Sequence, residues 1–212
     1  MSKVILFQGD SITDCGRDRE NDVNVGRGYP LLVSAQLSYE CPNQYQFYNR
    51  GISGNRIVDV YARIKKDIIN LKPDYMSILI GINDVWHEVA YQNGVATPKF
   101  EKIYDMLLTE IKEELPDIKL IVMAPFVLNG SATCNTEEIP DRWERFDTGA
   151  KANVEVAKRI AEKHGAYFVE LQSKFDELEA AHPGLWTGDG VHPTAAGHEI
   201  LKREWLKAFE AL

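Results

Sequence analysis

Short apolar runs alternate with longer stretches of helical period along nearly the whole chain. Residues 4–8 (Val4-Ile5-Leu6-Phe7-Gln8) predict a buried strand that ends at Gly9-Asp10-Ser11. Residues 29–38 start with a proline in the first turn, keep apolar side chains at helical spacing, and predict a helix. A short strand is expected over 46–49, before Arg50-Gly51. Over 58–71, Val58, Ala62, Ile64, Ile68 and Leu71 share roughly one face and predict one helix, stopped by Pro73. Residues 75–80 predict another buried strand, with Gly81-Ile82-Asn83-Asp84 at its end. The amphipathic run 99–115 carries Ile103, Leu107, Ile111 and Leu115 and stops at Pro116. A strand over 119–124, a helix over about 141–164 and a strand over 167–171 follow, then helices near 174–180 and 194–209. Residues 126–140 lack a strong period and are long for a connection, so they read as a lid or an assembly loop.

Strands alternating with helices imply parallel β-α units with helices on both faces of one sheet. No repeat, linker or low-complexity tract interrupts the pattern, so 1–212 reads as a single domain. In such a sheet, ligands bind beyond the carboxyl ends of the strands. The polar clusters fall there: Asp10-Ser11 after the first strand, residues 49–55 after the second, Asn83-Asp84 after the third. Asp189 and His192 precede the last helix. Four separated segments are thus expected on one rim.

Composition narrows the partners. The formal charge is −8, from 24 Lys and Arg against 32 Asp and Glu, and no basic run offsets it. That balance argues against nucleic acid and against anionic membranes. Cys15, Cys41 and Cys134 are odd in number, widely spaced and without a CxxC pair, which favours reduced side chains over a disulfide framework or structural zinc. The apolar run 4–7 is too short for a signal-peptide core, and no stretch reaches membrane-spanning length. The expected location is cytoplasmic.

A serine hydroxyl becomes a useful nucleophile only when a base takes its proton, a third group orients the base, and fixed donors meet the developing oxyanion. Ser11 stands at a strand-to-helix turn, where its hydroxyl can be exposed; alone, it reads first as a helix cap. Asp189 and His192, three apart through a tight turn at Gly190, can face one another and leave the second imidazole nitrogen for Ser11. They can equally be a turn-forming aspartate and a helix-capping histidine, and both roles can hold together. Gly51 suits a turn with positive φ or the close approach of its N–H to a substrate oxygen. Asn83 suits a turn, a cap or an amide donor.

Together these words, Gly9-Asp10-Ser11, Gly51 within Asn49-Arg50-Gly51-Ile52-Ser53-Gly54-Asn55, Gly81-Ile82-Asn83-Asp84 and Asp189-Gly190-Val191-His192-Pro193, resemble the four consensus blocks of the SGNH (GDSL-type) hydrolases. They occur in the family's order, from residue 9 to residue 193. The resemblance implies a flavodoxin-like three-layer α/β/α sandwich with a central parallel sheet. It implies a serine esterase without a cofactor, in which Ser11 is the nucleophile, His192 the general base and Asp189 its orienting partner. The oxyanion hole would be the N–H groups of Ser11 and Gly51 and the side-chain amide of Asn83.

The flanking words, residues 10–17, 80–86 and 192–198, are similar to intracellular acetyl-xylooligosaccharide esterases of that family. The implied substrate is a small acylated, above all acetylated, sugar or oligosaccharide. Two other readings stay open: a lysophospholipase or thioesterase on longer acyl chains, and a non-catalytic carbohydrate-binding protein of the same fold. Trp86 and Trp186 each lie within three residues of a site residue and suit sugar stacking or core packing. Arg56 and Tyr61 follow the glycine block as candidate substrate contacts. Asp10, Asp14, Asp84 and Asp189, with His192 and His198 as co-ligands, match no known metal-ligand spacing, so no metal is expected. Self-association is an open option for a domain of this size.

Overall fold

Alternation along the first strand sends Ile5 and Phe7 to one face of the sheet and Leu6 to the other, and all three are fully buried. A strand apolar on both faces belongs inside a parallel sheet covered on both sides. The computed structural model, which describes residues 2–212, has that arrangement. Strands β1 (Lys3–Gly9), β2 (Tyr45–Asn49), β3 (Tyr75–Leu79), β4 (Lys119–Met123) and β5 (Tyr167–Val169) form one sheet in the order β2-β1-β3-β4-β5. All four pairings are parallel, with Ile5 opposite Phe47 on one side and Tyr75 on the other. This is the flavodoxin-like order, whose direction of winding reverses beside β1.

The helices are α1 (Ser11–Asp14), α2 (Tyr29–Glu40), α3 (Ile57–Ala62), α4 (Ile64–Asp67), α5 (Ile82–Tyr91), α6 (Thr97–Glu114), α7 (Arg142–His164), α8 (Gln172–Ala181) and α9 (Ala195–Glu210). On one face α2 and α9 bring Tyr29 and Trp205 onto Phe7, at ring-centroid distances of 5.8 and 5.4 Å. On the other, α3 and α6 bury Ile57, Val60, Tyr104 and Leu107. Helix α7 serves both cores, Phe146 and Ala150 in the first, Val156 and Ile160 in the second. No helix among the described residues is long and apolar enough to cross a membrane.

Three expectations need correction. Residues 58–71 are not one helix. They break at Arg63 (φ −116°, ψ 14°) and Ile68 (φ −129°, ψ −69°), into α3, α4 and a 3₁₀ turn, Ile69–Leu71. The apolar spacing survives because Ile57, Val60, Ile64 and Ile68 still reach the same core. Helix α5 went unpredicted, although Ile82, Val85 and Val89 have helical spacing and are buried. Its first turn coincides with polar words that read as a loop. Finally, residues 126–140 do not form a lid. Phe126, Val127 and Leu128 are buried, and the Leu128 and Ala132 N–H groups donate to the carbonyls of Gly190 (2.8 Å) and Asp189 (2.9 Å). Residues 126–133 are a brace beneath the Asp189–His192 turn.

Candidate active site

Strand β1 delivers the first group. Asp10 caps α1, its Oδ1 accepting the Ile12 N–H at 3.0 Å, so Ser11 is the first helical residue and not the cap. Past the end of β2, Arg50 N–H donates to Phe7 O (2.8 Å) and Ile52 N–H to Gly9 O (3.1 Å), which lays Gly51 against α1. Gly51 does not have a positive φ. A Cβ there would stand 2.4 Å from the Asp14 nitrogen, so glycine is required by close approach and not by turn geometry.

Asp189 does two jobs. Its Oδ1 accepts the N–H groups of Val191 (2.9 Å) and His192 (2.8 Å), closing a turn in which Gly190 has φ 102°. Its Oδ2 lies 2.7 Å from His192 Nδ1, and His192 Nε2 lies 2.9 Å from Ser11 Oγ. The helix-capping role falls to Thr194, whose Oγ1 accepts the Gly197 N–H. Burial pushes the Asp189 carboxyl up, but hydrogen bonds from the His192 backbone, its ring and Val191 outweigh that and hold it below the usual range. An ionised Asp189 fixes the imidazole proton on Nδ1 and leaves the Nε2 lone pair facing the serine.

The candidate oxyanion donors differ in readiness. The Ser11 N–H has no acceptor among the described residues. Asn83, buried in the first turn of α5, gives one Nδ2 hydrogen to Asn55 O (3.2 Å) and keeps the other free. The Gly51 N–H already donates to Asn49 Oδ1 at 2.9 Å. Asn49 is itself held by Nδ2 bonds to Thr13 O and Val25 O.

Two buried carboxyls flank these donors. Burial raises Asp10 and Asp84 to about 7 each. Both Asp84 oxygens accept the Ile57 N–H (3.1 and 3.2 Å), tying α3 to α5, whereas Asp10 Oδ2 is buried without a partner. His198 sits behind α1, its Nδ1 accepting the Tyr29 N–H (3.1 Å) and its Nε2 3.5 Å from Cys15 Sγ. Burial, with the charge of His192, lowers it to about 4, so it is neutral.

The remaining candidates separate. The Trp86 ring lies 6.3 Å from that of His192. Trp186 lies between α8 and α9, beside Leu178, Ile200 and Arg203. Arg56 bonds Asp59 and the Asn93 carbonyl, and Tyr61 donates to Glu110. The described residues contain no cluster of three or more His, Cys, Asp or Glu that could hold a metal ion, and all three cysteines are free. The triad is open, with the His192 side chain 45% exposed. A cavity of about 740 Å³ lies behind α5, lined by Val85, Glu88, Arg145 and Asn153, and Ser11 does not border it. Sequence reasoning missed the role of Asn49 and the brace. Only Asn49 had a readable signal, an asparagine two residues before a turn glycine.

Residues 7–200 match the model of the GDSL-like lipase/acylhydrolase family. The chain is 36% identical over 214 residues to an acetylxylan esterase of Geobacillus stearothermophilus, covering 96% of this chain and 92% of that one. Among solved structures, a GDSL-like lipase candidate from Parabacteroides merdae superposes with TM-score 0.89 at 34% identity, over 99% of this chain and 97% of that one. Catalytic mutants of the Geobacillus esterase, with an aspartate, a histidine or a serine replaced by alanine, superpose with TM-scores of 0.83, 0.83 and 0.81. They are 33–34% identical, and each match covers 98% of this chain and 95% of that one.

Proposed function

The chain belongs to the GDSL-like lipase/acylhydrolase family and is an ester hydrolase, and on that premise we propose that it removes acetyl groups from acetylated xylo-oligosaccharides through an acyl-serine intermediate. The observation that carries this reading is the unbroken relay Asp189–His192–Ser11, at 2.7 and 2.9 Å. His192 Nε2 takes the Ser11 proton as Oγ attacks the acetyl carbonyl carbon. The carbonyl π electrons move to oxygen, which the Ser11 N–H, the free Asn83 Nδ2 hydrogen and the Gly51 N–H receive. An oxyanion is a stronger acceptor than the neutral Asn49 amide, so the Gly51 N–H divides between the two.

Collapse of the tetrahedral intermediate expels the sugar oxygen, which takes the proton from His192. Water then attacks the acetyl-serine by the same route, giving up a proton to His192, and acetate leaves as Ser11 recovers its hydrogen. The route uses only groups of this chain and water, acting within one domain over 1–212. Loss of one oxyanion donor costs about 100- to 1,000-fold in turnover. The open rim suits a bulky oligosaccharide carrying a small acyl group.

Acetate release from acetylated xylo-oligosaccharides, compared with aryl acetates and a p-nitrophenyl ester chain-length series, tests the substrate. Hydrolysis peaking at octanoate would overturn the acetyl assignment. Labelling by a fluorophosphonate, lost in Ser11→Ala, tests the mechanism. An unlabelled parent protein would leave a carbohydrate binder as the better account.

A further inference from the structure

Arg63 lies outside the four sequence blocks, yet its side chain bonds two of the segments that build the site, the end of β1 and residues 50–55, and through Asn55 it is linked to a third at Asn83. It stands at the break between α3 and α4, and its side chain is only 14% exposed. All five of its N–H donors are engaged. Nε bonds Asn55 Oδ1 (2.9 Å), Nη1 bonds Arg50 O (2.7 Å) and Asp67 Oδ2 (2.8 Å), and Nη2 bonds Gln8 Oε1 (2.7 Å) and Gly9 O (3.4 Å).

Two of these bonds bear on the oxyanion donors. The Arg50 carbonyl and the Gly51 N–H belong to one peptide group. A cation bonded to the oxygen of an amide increases its C–N double-bond character and makes its N–H a stronger donor. The Asn55 residue that Arg63 grips by its side chain offers its own carbonyl to Asn83 Nδ2 at 3.2 Å. The bonds to Gln8 and Gly9 fix the end of β1, two or three residues before Ser11.

We infer that Arg63 is the positioning residue of the oxyanion site, polarising the Arg50–Gly51 peptide and fixing the Asn55 carbonyl that orients Asn83. This rests on the acyl-serine reading above. Arg63 does not touch the reacting atoms; it acts through Gly51 and Asn83. Lysine cannot substitute, because one ammonium with three donors cannot span five acceptor residues around a planar fork.

The test compares the parent protein with Arg63→Lys and Arg63→Gln, using p-nitrophenyl acetate and phenylboronic acid, which forms a tetrahedral adduct on a reactive serine. Both variants should lose about 10- to 100-fold in kcat with KM within about threefold, less than for outright deletion of a donor. Boronate affinity should fall in proportion to kcat/KM, and the pH midpoint of the acid limb should stay in place. A merely structural role would lower the folded fraction without weakening boronate binding per active site. Arg63→Lys retains a cation for Asp67, and it keeps the test available if Arg63→Gln does not fold. Unchanged kcat in a folded variant, a loss confined to KM, or undiminished boronate affinity would each overturn the inference. Failure of the underlying reading looks different: the parent itself then shows no fluorophosphonate label at Ser11.

Discussion

The ring of Trp86 stands 6.3 Å from that of His192, with the two planes inclined at 58°. Trp86 is half-buried and also packs edge-on against Phe146 at 5.5 Å, so the indole is a fixed wall beside the imidazole. A sugar presenting its ester to Ser11 can lie along that wall. Stacking of this kind is worth about 1 kcal/mol. Trp86→Ala should therefore raise KM for an acetylated oligosaccharide about three- to tenfold while changing that for an aryl acetate less. Equal losses on both substrates would remove the stacking role. Trp186→Ala, which removes an indole packed between α8 and α9, should lower the unfolding midpoint and leave the ratio between the two substrates unchanged.

Gly130 presses on the back of the Asp189 turn. A Cβ there would stand 2.4 Å from both the Asp189 carbonyl carbon and the Gly190 nitrogen. Gly130→Ala should displace His192 from Ser11 and lower kcat about 10- to 100-fold with KM nearly constant, since small misplacements are costly in catalysis. Steady-state kinetics with circular dichroism as a check on folding will show it. Full activity would mean the brace is irrelevant to catalysis.

Asp84 gives a pH dependence of stability. Burial raises its folded-state value to about 7, against an ordinary 3.8. Between those values the native protein holds a proton that the unfolded chain releases. Its stabilising effect is thus complete below 3.8 and lost as pH rises through 7. His198, lowered by burial to about 4, contributes the opposite slope, so the comparison must be made within one background. Relative to Asp84→Asn, the parent should lose up to about 4 kcal/mol of stability between pH 4 and pH 8. Urea unfolding at several pH values measures the difference. A difference that does not vary with pH contradicts the assignment.

Asn49 makes three hydrogen bonds and is 3% exposed. Asn49→Ala leaves the carbonyls of Thr13 and Val25 without their donors and should cost about 2–4 kcal/mol. Asn49→Asp should cost more, because it turns a carboxylate toward those same carbonyls. Denaturant midpoints decide both. Wild-type midpoints would mean that water replaces the amide without loss.

Much of this architecture was legible in the sequence because β1 and β3 are apolar on both faces and their ends carry the reactive words. Ser11, Asp189, His192, Gly51 and Asn83 could be singled out as candidates from residue type and position, and their roles came from the resemblance of the four blocks to the SGNH hydrolases. The broken helix at Arg63 could not, since Val60, Ile64 and Ile68 keep their apolar spacing through the break. Helix α5 was hidden because Asn83 and Asp84 occupy its first turn, where polar residues look like a loop. The role of residues 126–140 depends on backbone bonds to Gly190 and Asp189, which leave no mark on side-chain pattern. The reason for Gly51 was likewise invisible, because the atom that excludes a side chain is the distant Asp14 nitrogen.

Ser11 and His192 meet across a separation of 181 positions. On the acyl-serine reading, the serine is made before its base and stays inert until β5 and α8 have formed and the Asp189–His192 turn arrives. On that reading, hydrolytic competence therefore requires the sheet to be completed through β5 and the Asp189–His192 turn to dock beside α1. By the same reading, a protease that removed the segment from Asp189 onward would leave Ser11 intact but without its base.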